Sequence, residues 1–350
     1  MKIVSLFSGA GGLDLGFSRA GFEIIWANEY DKKIFPTYIR NHPRTFLREC
    51  SIVDVRSDEI PDAEGIIGGP PCQPWSLAGA MKGLRDERGA VIREYLRVIE
   101  DKKPLFFLFE NVAGMVSRAH KSFFLEIAKE FKEKLGYLVN FKLLNAYDYG
   151  VPQERKRVFL VGFRQDLGMI FSFPKPGLYK RNNLKDAIFD LWREKPAAPA
   201  LNKNRANKDL LVPNHEYYIG SFSPIYMSRN RIRRWDEPSF TIQASGRHAP
   251  LHPSCPPMKN VGKDKWEFTG PPNAYRRLSV RECARVQTFP DNFIFEYDNV
   301  SIGYRMVGNA VPVKLAQILA EAIKQQLLGN IEQPYVEDLP LVVKFINDQL

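Results

Sequence analysis

Near its start the chain reads Ile3-Val4-Ser5-Leu6-Phe7-Ser8-Gly9-Ala10-Gly11-Gly12-Leu13, an apolar run that ends in a cluster of glycines. The run predicts a buried strand, and the glycines predict a sharp turn that opens a helix. The free amides of such a helix point toward a ligand above the strand ends. Glu29 follows Gly9 by 20 residues, at the tip of a second predicted strand. This is the spacing at which a carboxylate binds ribose hydroxyls, so the two motifs together predict a ligand that contains a ribose.

The glycine cluster does not complete the pattern of a dinucleotide site. After Gly9 and Gly11, the position at which GxGxxG requires a third glycine holds Asp14. A ligand with a ribose and no pyrophosphate fits better, and S-adenosylmethionine is the obvious candidate. An NAD-dependent enzyme and a tight turn without any ligand are the alternatives.

Outward from this motif, the first 170 residues alternate short β-rich runs with helical spacing. This alternation predicts the α/β class, with a doubly wound, parallel sheet. The predicted strands are Lys2–Phe7, Glu23–Ala27, Gly65–Ile67, Leu105–Phe109, Val139–Leu144 and Val158–Phe163. The predicted helices are Leu13–Ala20, Lys32–Asn41, Glu94–Glu100 and Lys121–Leu135, with Val280–Val286 and Val313–Leu328 near the end of the chain.

Composition excludes several classes of protein. Of the 350 residues, 44% are hydrophobic and 26% are charged, which excludes a disordered chain. Apolar runs such as Leu105–Phe109 are far too short to span a bilayer, and the first residues lack the long apolar stretch of a signal peptide. We therefore expect a cytoplasmic protein with no membrane partner. The cysteines are widely spaced, which predicts neither a disulfide framework nor a metal site: they are Cys50, Cys72, Cys255 and Cys283.

The positive charge is concentrated in one block. Of the net charge of +10, most lies in residues 171–270, which hold 17 basic and 9 acidic side chains. Thirteen of the 25 prolines lie between residues 171 and 272, so long regular helices are not expected there. This pattern predicts a separate, loop-rich lobe. A polyanion, above all nucleic acid, is the expected partner, and a solvated basic face is the alternative.

Three further motifs predict a reactive centre. Prolines bracket Cys72 in Gly69-Pro70-Pro71-Cys72-Gln73-Pro74, and a cysteine on such a stiff loop beside a ligand pocket is typical of a nucleophile. Glu110 follows a buried run, where desolvation raises the pKa of a carboxyl and suits a proton donor. Strand alternation sends Arg155 and Arg157 to one face, where both can reach an anion or a carbonyl. An inert cysteine, a capping glutamate and a basic strand end are the alternatives.

In this order the motifs resemble those of the DNA (cytosine-5) methyltransferases. They are FSGAGG, NEY, GGPPCQPWS, ENV, QERKR, RRLSVRECARVQTFP and GYRMVGNAVP, and the resemblance covers residues 2–328. The family's fold is the S-adenosylmethionine-dependent, Rossmann-like doubly wound sheet with a smaller, loop-rich DNA-recognition lobe. The resemblance implies residues 1–170 plus 303–328 as the catalytic and cofactor-binding domain and 171–302 as the recognition lobe and hinge. Residues 329–350 form a tail without an assigned role.

The resemblance also implies a mechanism. The target cytosine leaves the duplex for the pocket, and Cys72 adds to its C6 as thiolate. Glu110 holds N3 and the exocyclic amine, and Arg157 binds the O2 carbonyl with support from Arg155. C5 then takes the methyl group of S-adenosylmethionine, and loss of the C5 proton with expulsion of Cys72 gives 5-methylcytosine.

For the cofactor, the resemblance implies that Glu29 holds the ribose hydroxyls and that Tyr30 lies against the adenine. The other implied cofactor contacts are Phe7, Gly9, Ala10, Gly11, Gly12, Leu13, Ser51, Ile52, Pro70, Asn309 and Ala310. The last two require the C-terminal helix to fold back onto the first lobe. Ser51 stands where many members have an aspartate that bonds the adenine amine, and Asp54 is the alternative partner.

For DNA, the segments around residues 228–234 and 239–247 look like those of prokaryotic members that methylate GGCC. Arg229, Arg231 and Arg247 are the expected readers of guanine, with phosphate contacts as the alternative. Thr241 would support the backbone near the flipped nucleotide. The implied partners are double-stranded DNA and a separately acting restriction endonuclease, with the protein itself a monomer. The rival functions are methylation of tRNA on the same core and DNA binding without catalysis.

Overall fold

The computed structural model describes residues 1–71 and 89–329. Its centre is a seven-stranded sheet with the spatial order β3-β2-β1-β4-β5-β7-β6. The strands are β1 (Lys2–Leu6), β2 (Glu23–Glu29), β3 (Phe46–Glu49), β4 (Gly65–Gly68), β5 (Phe106–Val112), β6 (Tyr137–Asn145) and β7 (Lys156–Arg164). Strands β1 to β5 are parallel to their neighbours, whereas β7 is antiparallel to both β5 and β6.

Helices cover both faces of this sheet. They are α1 (Gly12–Arg19), α2 (Phe35–Asn41), α3 (Ala90–Lys102), α4 (Lys121–Lys129), α5 (Leu184–Glu194), α6 (Val280–Val286), α7 (Val300–Asn309) and α8 (Val313–Leu327). Helices α1 and α8 share one hydrophobic cluster with the sheet, and α3 and α4 share the cluster on the opposite face. Burial on both faces explains why β5 reads as a continuous apolar run before its polar end.

The loop-rich lobe adds two small pairs of strands. Strands β8 (Ala198–Pro199) and β9 (Glu216–Tyr217) are parallel, and β10 (Met258–Gly262) and β11 (Lys265–Phe268) form an antiparallel hairpin. The hairpin packs over a small cluster of its own, which includes Tyr226, Leu251 and Tyr275. Helices α5, α6 and α7 share a third cluster beside it.

The structure confirms the predicted fold class, and all six predicted strands are present. The prediction of a parallel sheet is wrong for β7, which makes the sheet a mixed one. Three elements differ from the sequence expectation. The edge strand β3 was not predicted, because only four residues, mostly half-exposed or exposed, carry its pattern. The proline-rich block, where no long regular helix is expected, does contain the 11-residue helix α5, which begins where the side chain of Asn183 caps the amide of Asp186. Helix α7 was also missed, and the expected domain boundary at residue 303 falls inside it.

By length and composition alone, residues Val300–Leu327 could cross a membrane. However, 72% of their most apolar 18-residue stretch is buried inside the protein. The chain is not one continuous helix there, because α7 ends at Asn309 and α8 begins at Val313, after Pro312. Burial of this kind is typical of the core helices of a folded domain.

The contact between α1 and α8 depends on Gly16. A Cβ built on Gly16 would lie 2.4 Å from the Cβ of Ala316 and 2.7 Å from the backbone nitrogen of Gln317. These distances are too short for real atoms, so the first helix and the last helix pack here backbone to backbone.

We therefore expect Gly16→Ala to destabilise the protein by about 1–3 kcal/mol through overpacking. Helix propensity alone gives the opposite sign, since alanine is favoured over glycine by about 1 kcal/mol inside a helix. The measurement is the free energy of unfolding in urea. Gly114→Ala is the matched control, because a Cβ on Gly114 would meet no atom within 4 Å. An increase in stability for Gly16→Ala would contradict this packing.

Candidate functional site

The carboxyl ends of four parallel strands bring the predicted site together. Four parts of the predicted site lie along this edge. They are the turn after β1, the acid at the end of β2, the Gly69-Pro70 segment after β4, and Glu110 near the end of β5. Ligands of open α/β sheets bind at this edge, above the strand ends. The structure therefore brings most of the sequence-predicted residues to one side of the molecule.

The glycine turn has an unusual backbone. Phe7, Gly9 and Gly11 all have positive φ, at 55°, 56° and 84°. A positive φ is costly for Phe7, and such outliers cluster at ligand sites. The amide of Ser8 donates to the carbonyl of Asn28 over 3.0 Å, which ties the turn to β2. A Cβ on Gly9 would meet no atom within 4 Å, so the turn faces open space.

Glu29 anchors this turn from the neighbouring strand. Its carboxylate accepts the backbone amides of Gly9 (2.9 Å), Tyr30 (2.9 Å) and Asp31 (2.8 Å). Burial raises the pKa of Glu29, and the three amides offset part of that rise. The aromatic ring of Tyr30 is exposed beside it. An acid held beside open space and an exposed ring fits a ligand with a ribose and a flat base.

Asp14 lies behind the turn rather than in the open space. Its carboxylate accepts the hydroxyls of Ser5 and Tyr38, each over 2.6 Å, and burial raises the pKa of Asp14. The ring of His42 stacks on Tyr38 and fills the space beneath Gly11. The residue that breaks the dinucleotide pattern is therefore a buried link between β1, α1 and α2.

The remaining predicted cofactor residues lie around the same edge. Ala10, Gly11, Gly12, Leu13, Ile52 and Pro70 are buried, and Asn309 is exposed. The hydroxyl of Ser51 accepts the amide of Val53 over 3.4 Å, so it caps a short turn. Asp54 is exposed.

The C-terminal segment folds back onto the first helix, as the resemblance implied. A Cβ on Gly12 would lie 2.7 Å from the carbonyl oxygen of Val311 and 3.1 Å from the Cβ of Ala310. The loop between α7 and α8 thus closes one side of the glycine turn.

Glu110 and Arg157 form a buried ion pair beside Gly69. The Nε atom of Arg157 lies 3.2 Å from Oε1 of Glu110, and both side chains are largely buried. Burial raises the pKa of Glu110, while the charges of Arg157 and Arg155 offset part of the rise. A Cβ on Gly69 would lie 2.9 Å from Oε2 of Glu110, so the backbone of Gly69 lies directly against the carboxyl. The arrangement can hold a proton next to a cation.

Arg155 is buried below this pair and acts on backbone groups. Its guanidinium donates to the carbonyls of Ile242 (3.1 Å), Gly308 (2.9 Å) and Ala310 (3.0 Å). Burial lowers the pKa of Arg155. The side chain therefore joins the start of β7 to the loop-rich lobe and to the end of α7.

Cys72 lies outside the described residues. The nearest described neighbours are Pro70 and Pro71, and the carbonyl of Pro70 accepts the side-chain amide of Asn111 over 3.1 Å. This bond ties the start of the Cys72 segment to β5, one residue after Glu110.

The predicted DNA contacts differ in exposure. Arg229 and Arg247 are exposed, and Nε of Arg247 lies 3.3 Å from the hydroxyl oxygen of Tyr218. Arg231 is only 5% exposed, because its Nε and Nη2 donate to the carbonyls of Tyr226 and Ile225. To contact a base, Arg231 would have to use Nη1 of its guanidinium group or give up its hydrogen bonds to these carbonyls. The hydroxyl of Thr241 donates to the carbonyl of Glu154 over 2.5 Å, beside the QERKR segment.

Sequence reasoning missed the buried polar groups that join the lobe to the sheet. The Nε2 of Gln153 donates to Gln287 over 2.8 Å, and Gln153 Oε1 accepts the amide of Ile242. In the lobe, Glu282 is fully buried, and its carboxylate accepts hydrogen bonds from Nη1 and Nη2 of Arg276 (2.7 and 2.8 Å). The signal for both was present, since these residues lie inside the QERKR and RRLSVRECARVQTFP motifs.

Comparison with known proteins gives consistent matches over nearly the whole chain. A family model described as C-5 cytosine-specific DNA methylase matches residues 1–325. The type II methyltransferase M.MthTI of Methanothermobacter thermautotrophicus is 57% identical over 331 residues, which cover 94% of this chain and 98% of that protein. The type II methyltransferase M.FnuDI of Fusobacterium nucleatum is 55% identical over 331 residues, with 93% and 95% covered.

Among solved structures, the crystal structure of a putative DNA modification methyltransferase from an Escherichia coli prophage is similar, with a TM-score of 0.71 at 23% identity. It covers 94% of this chain and 99% of that one. A DNMT2 variant from Spodoptera frugiperda has a TM-score of 0.63 at 19% identity, with 92% and 99% covered. At these identities the likeness shows the fold alone.

Proposed function

Since the chain belongs to the C-5 cytosine-specific DNA methylase family and is a DNA (cytosine-5) methyltransferase of the type II restriction-modification kind, we propose that it methylates an inner cytosine of GGCC in duplex DNA. The proposed reaction passes through a covalent bond between Cys72 and C6 of a flipped base. The proposal includes a monomeric enzyme and a separately acting restriction endonuclease. Relatives above 50% identity are type II methyltransferases, which favours this function over RNA methylation and over binding without catalysis.

One observation carries the mechanism. The buried Glu110–Arg157 pair lies against Gly69, which comes three residues before Cys72 in the chain. The open glycine turn follows β1, the strand that pairs with β4, and Gly69 follows β4. Methyltransferases of this fold use S-adenosylmethionine, which supplies the methyl group when bound. Glu29 would bind its ribose, with Phe7, Gly9 and Gly11 shaping the turn around it and Tyr30 beside the base.

The proposed steps move electrons through the cytosine ring. The thiolate of Cys72 adds to C6, and Glu110 donates a proton to N3 as the ring accepts the electron pair. Arg157 binds the O2 carbonyl, and Arg155 supports it by holding the start of β7. C5 then attacks the methyl carbon of S-adenosylmethionine, whose bond to sulfur breaks to leave S-adenosylhomocysteine. Water takes the proton from C5 and Glu110 takes back the proton of N3, so that the C5–C6 double bond reforms and Cys72 leaves as thiolate.

The overall test is methylation of a random-sequence duplex library, read by bisulfite conversion. We expect conversion-resistant cytosines within GGCC alone. Resistance at another sequence would replace the proposed site, and none at all would refute the activity.

The covalent step predicts that DNA with 5-fluorocytosine at the target becomes trapped on the wild-type enzyme when S-adenosylmethionine is supplied. Fluorine cannot leave C5 as a proton does, so the bond to Cys72 persists. Cys72→Ser removes the thiolate nucleophile and is expected to give no trapped complex on a denaturing gel. Cys50→Ser is the matched control, because this half-buried thiol has no role in the proposed steps. Trapping by Cys72→Ser would exclude the cysteine from the mechanism.

The proton step predicts a specific pH dependence. A donor works only while protonated, so the wild-type rate should fall as the pH rises through the pKa of Glu110, which burial raises above its ordinary value near 4.5. Glu110→Gln should slow single-turnover methyl transfer by about 10²–10⁴-fold and abolish this descending limb. Glu216→Gln is the control, since burial also raises the pKa of Glu216. A descending limb that survives in Glu110→Gln would assign the proton to another group.

Base reading by Arg229 predicts a loss of discrimination rather than of general affinity. Arg229→Ala should increase methylation at sites that differ by one base from the preferred site, relative to that site. Arg234→Ala is the control, because Arg234 is exposed in the same lobe but paired with Asp236. Equal weakening for all sequences, with a salt slope of binding reduced by about 0.9, would make Arg229 a phosphate contact.

A further inference from the structure

Arg277 is a buried cation of the recognition lobe. Its side chain is only 2% exposed, and no ion pair joins it to a carboxylate within residues 1–71 and 89–329. The adjacent Arg276, by contrast, is paired with Glu282. A buried charge needs compensation, so the groups around Arg277 indicate what it does.

The compensation comes almost entirely from one loop. Nη1 of Arg277 donates to the carbonyl of Gly220 (2.7 Å), and Nη2 donates to the carbonyl of Ser221 (2.9 Å). The Cζ atom lies 4.3 Å from the ring centre of Phe222 and 5.1 Å from that of Tyr226. Carbonyl dipoles and ring faces both stabilise a guanidinium. Since they all belong to residues 220–226, Arg277 fixes the path of that loop.

Residues 220–226 lead directly into the segment that holds the predicted base readers Arg229 and Arg231. Two cations contact the ring of Tyr226: the Cζ of Arg231 lies 4.5 Å from the ring centre, and the Cζ of Arg277 lies 5.1 Å from it. The hydroxyl of Tyr226 donates to the carbonyl of Ala249 over 2.8 Å. Arg277 Nη2 also reaches the carbonyl of Arg247, at 3.5 Å. The buried side chain of Arg277 thus contacts residues 220–226, which precede Arg229 in the chain, and also the backbone of Arg247.

The surrounding charge is positive. The pKa of His248 is lowered by burial and by the positive charges of Arg231, Arg229, Arg277 and Arg247. Four guanidinium groups therefore act on one point of the lobe. An anionic ligand would be attracted to this group of charges.

We propose that Arg277 is a positioning residue for base recognition: it holds residues 218–231 and the backbone of Arg247 so that Arg229 and Arg247 face DNA at a fixed spacing. Arg277 itself does not touch DNA. This inference rests on the proposed recognition of a specific DNA site by the lobe.

The test is Arg277→Lys, which keeps the charge but loses the planar fork and the stacking surface. We expect the ratio of kcat/KM between the preferred site and one-base variants to fall by about tenfold. Binding of S-adenosylmethionine, kcat at saturating preferred DNA and the salt slope of DNA binding should stay unchanged, since Arg277 lies outside the catalytic edge and contacts no phosphate.

Arg281→Lys is the matched control. Arg281 is also fully buried and donates to the carbonyls of Pro213 (3.0 Å), Pro290 (3.2 Å) and Phe293 (2.9 Å), away from residues 218–231. The variant Arg281→Lys should lower the midpoint of thermal unfolding without lowering the ratio of kcat/KM between the preferred site and its one-base variants. If both variants lose discrimination only in proportion to stability, Arg277 has a general structural role and the inference is wrong.

Phe222→Leu keeps the test decisive if Arg277→Lys does not fold, since it removes the ring nearest the guanidinium and leaves the charge in place. A lowered ratio in Phe222→Leu is expected, and an unchanged ratio overturns the inference. A wild-type enzyme without sequence preference would refute the proposed function, and the inference with it. A selective wild type with an equally selective Arg277→Lys refutes the inference alone.

Discussion

The architecture depends on one buried guanidinium. Arg155 donates to carbonyls of three distant segments, at residues 242, 308 and 310, and so connects the start of β7 to the recognition lobe and to the end of α7. Backbone carbonyls that a fold buries need a donor, and a planar side chain with several N–H groups can satisfy three of them at once. Two residues further along β7, Arg157 meets Glu110. The strand that holds the chemical centre is therefore fixed by the same contacts that fix the lobe.

Arg155, at the start of β7, and Arg277, in the lobe, are both buried and both act on backbone atoms. Arg155 and Arg277 each bind carbonyls of loops that have little regular structure to hold them. Surface loops with little regular structure cannot bury a large apolar core, so polar contacts from a rigid neighbour replace it. The proline-rich composition of the lobe and its buried cations are two aspects of one constraint.

Much of the fold could be predicted from the sequence, because its strands are short apolar runs between glycine turns and amphipathic helices. β3 was not predictable, since its exposed edge position leaves Phe46 60% exposed and gives no alternating pattern. The reversal of β7 has no local signal either, because strand direction depends on the connection between β6 and β7 and not on the residues of the strand. Helix α5 was hidden by its surroundings, although its capping residues follow a known pattern.

The placement of Glu29, Glu110 and Arg157 along one edge of the sheet was predictable, because each follows a recognisable strand, while their chemical roles stay predictions. The site was not predictable where a side chain acts through tertiary contacts. Arg155 shares the spacing of Arg157 but points at carbonyls, and Arg231 shares the motif of Arg229 but folds against Tyr226. Sequence distance cannot separate such neighbours, because the partner groups lie 80 or more residues away in several cases.

The packing of the last helix on the first has a consequence for how the protein is made. Gly12 and Gly16 of α1 contact residues 310–317, so this side of α1 is covered only after the ribosome has synthesised those residues. Until then the nascent polypeptide lacks the residues that pack beside its glycine turn. Helix α1 is thus completed by α8, which lies about 300 residues later in the chain, so the enzyme reaches its folded form only after α8 has been translated.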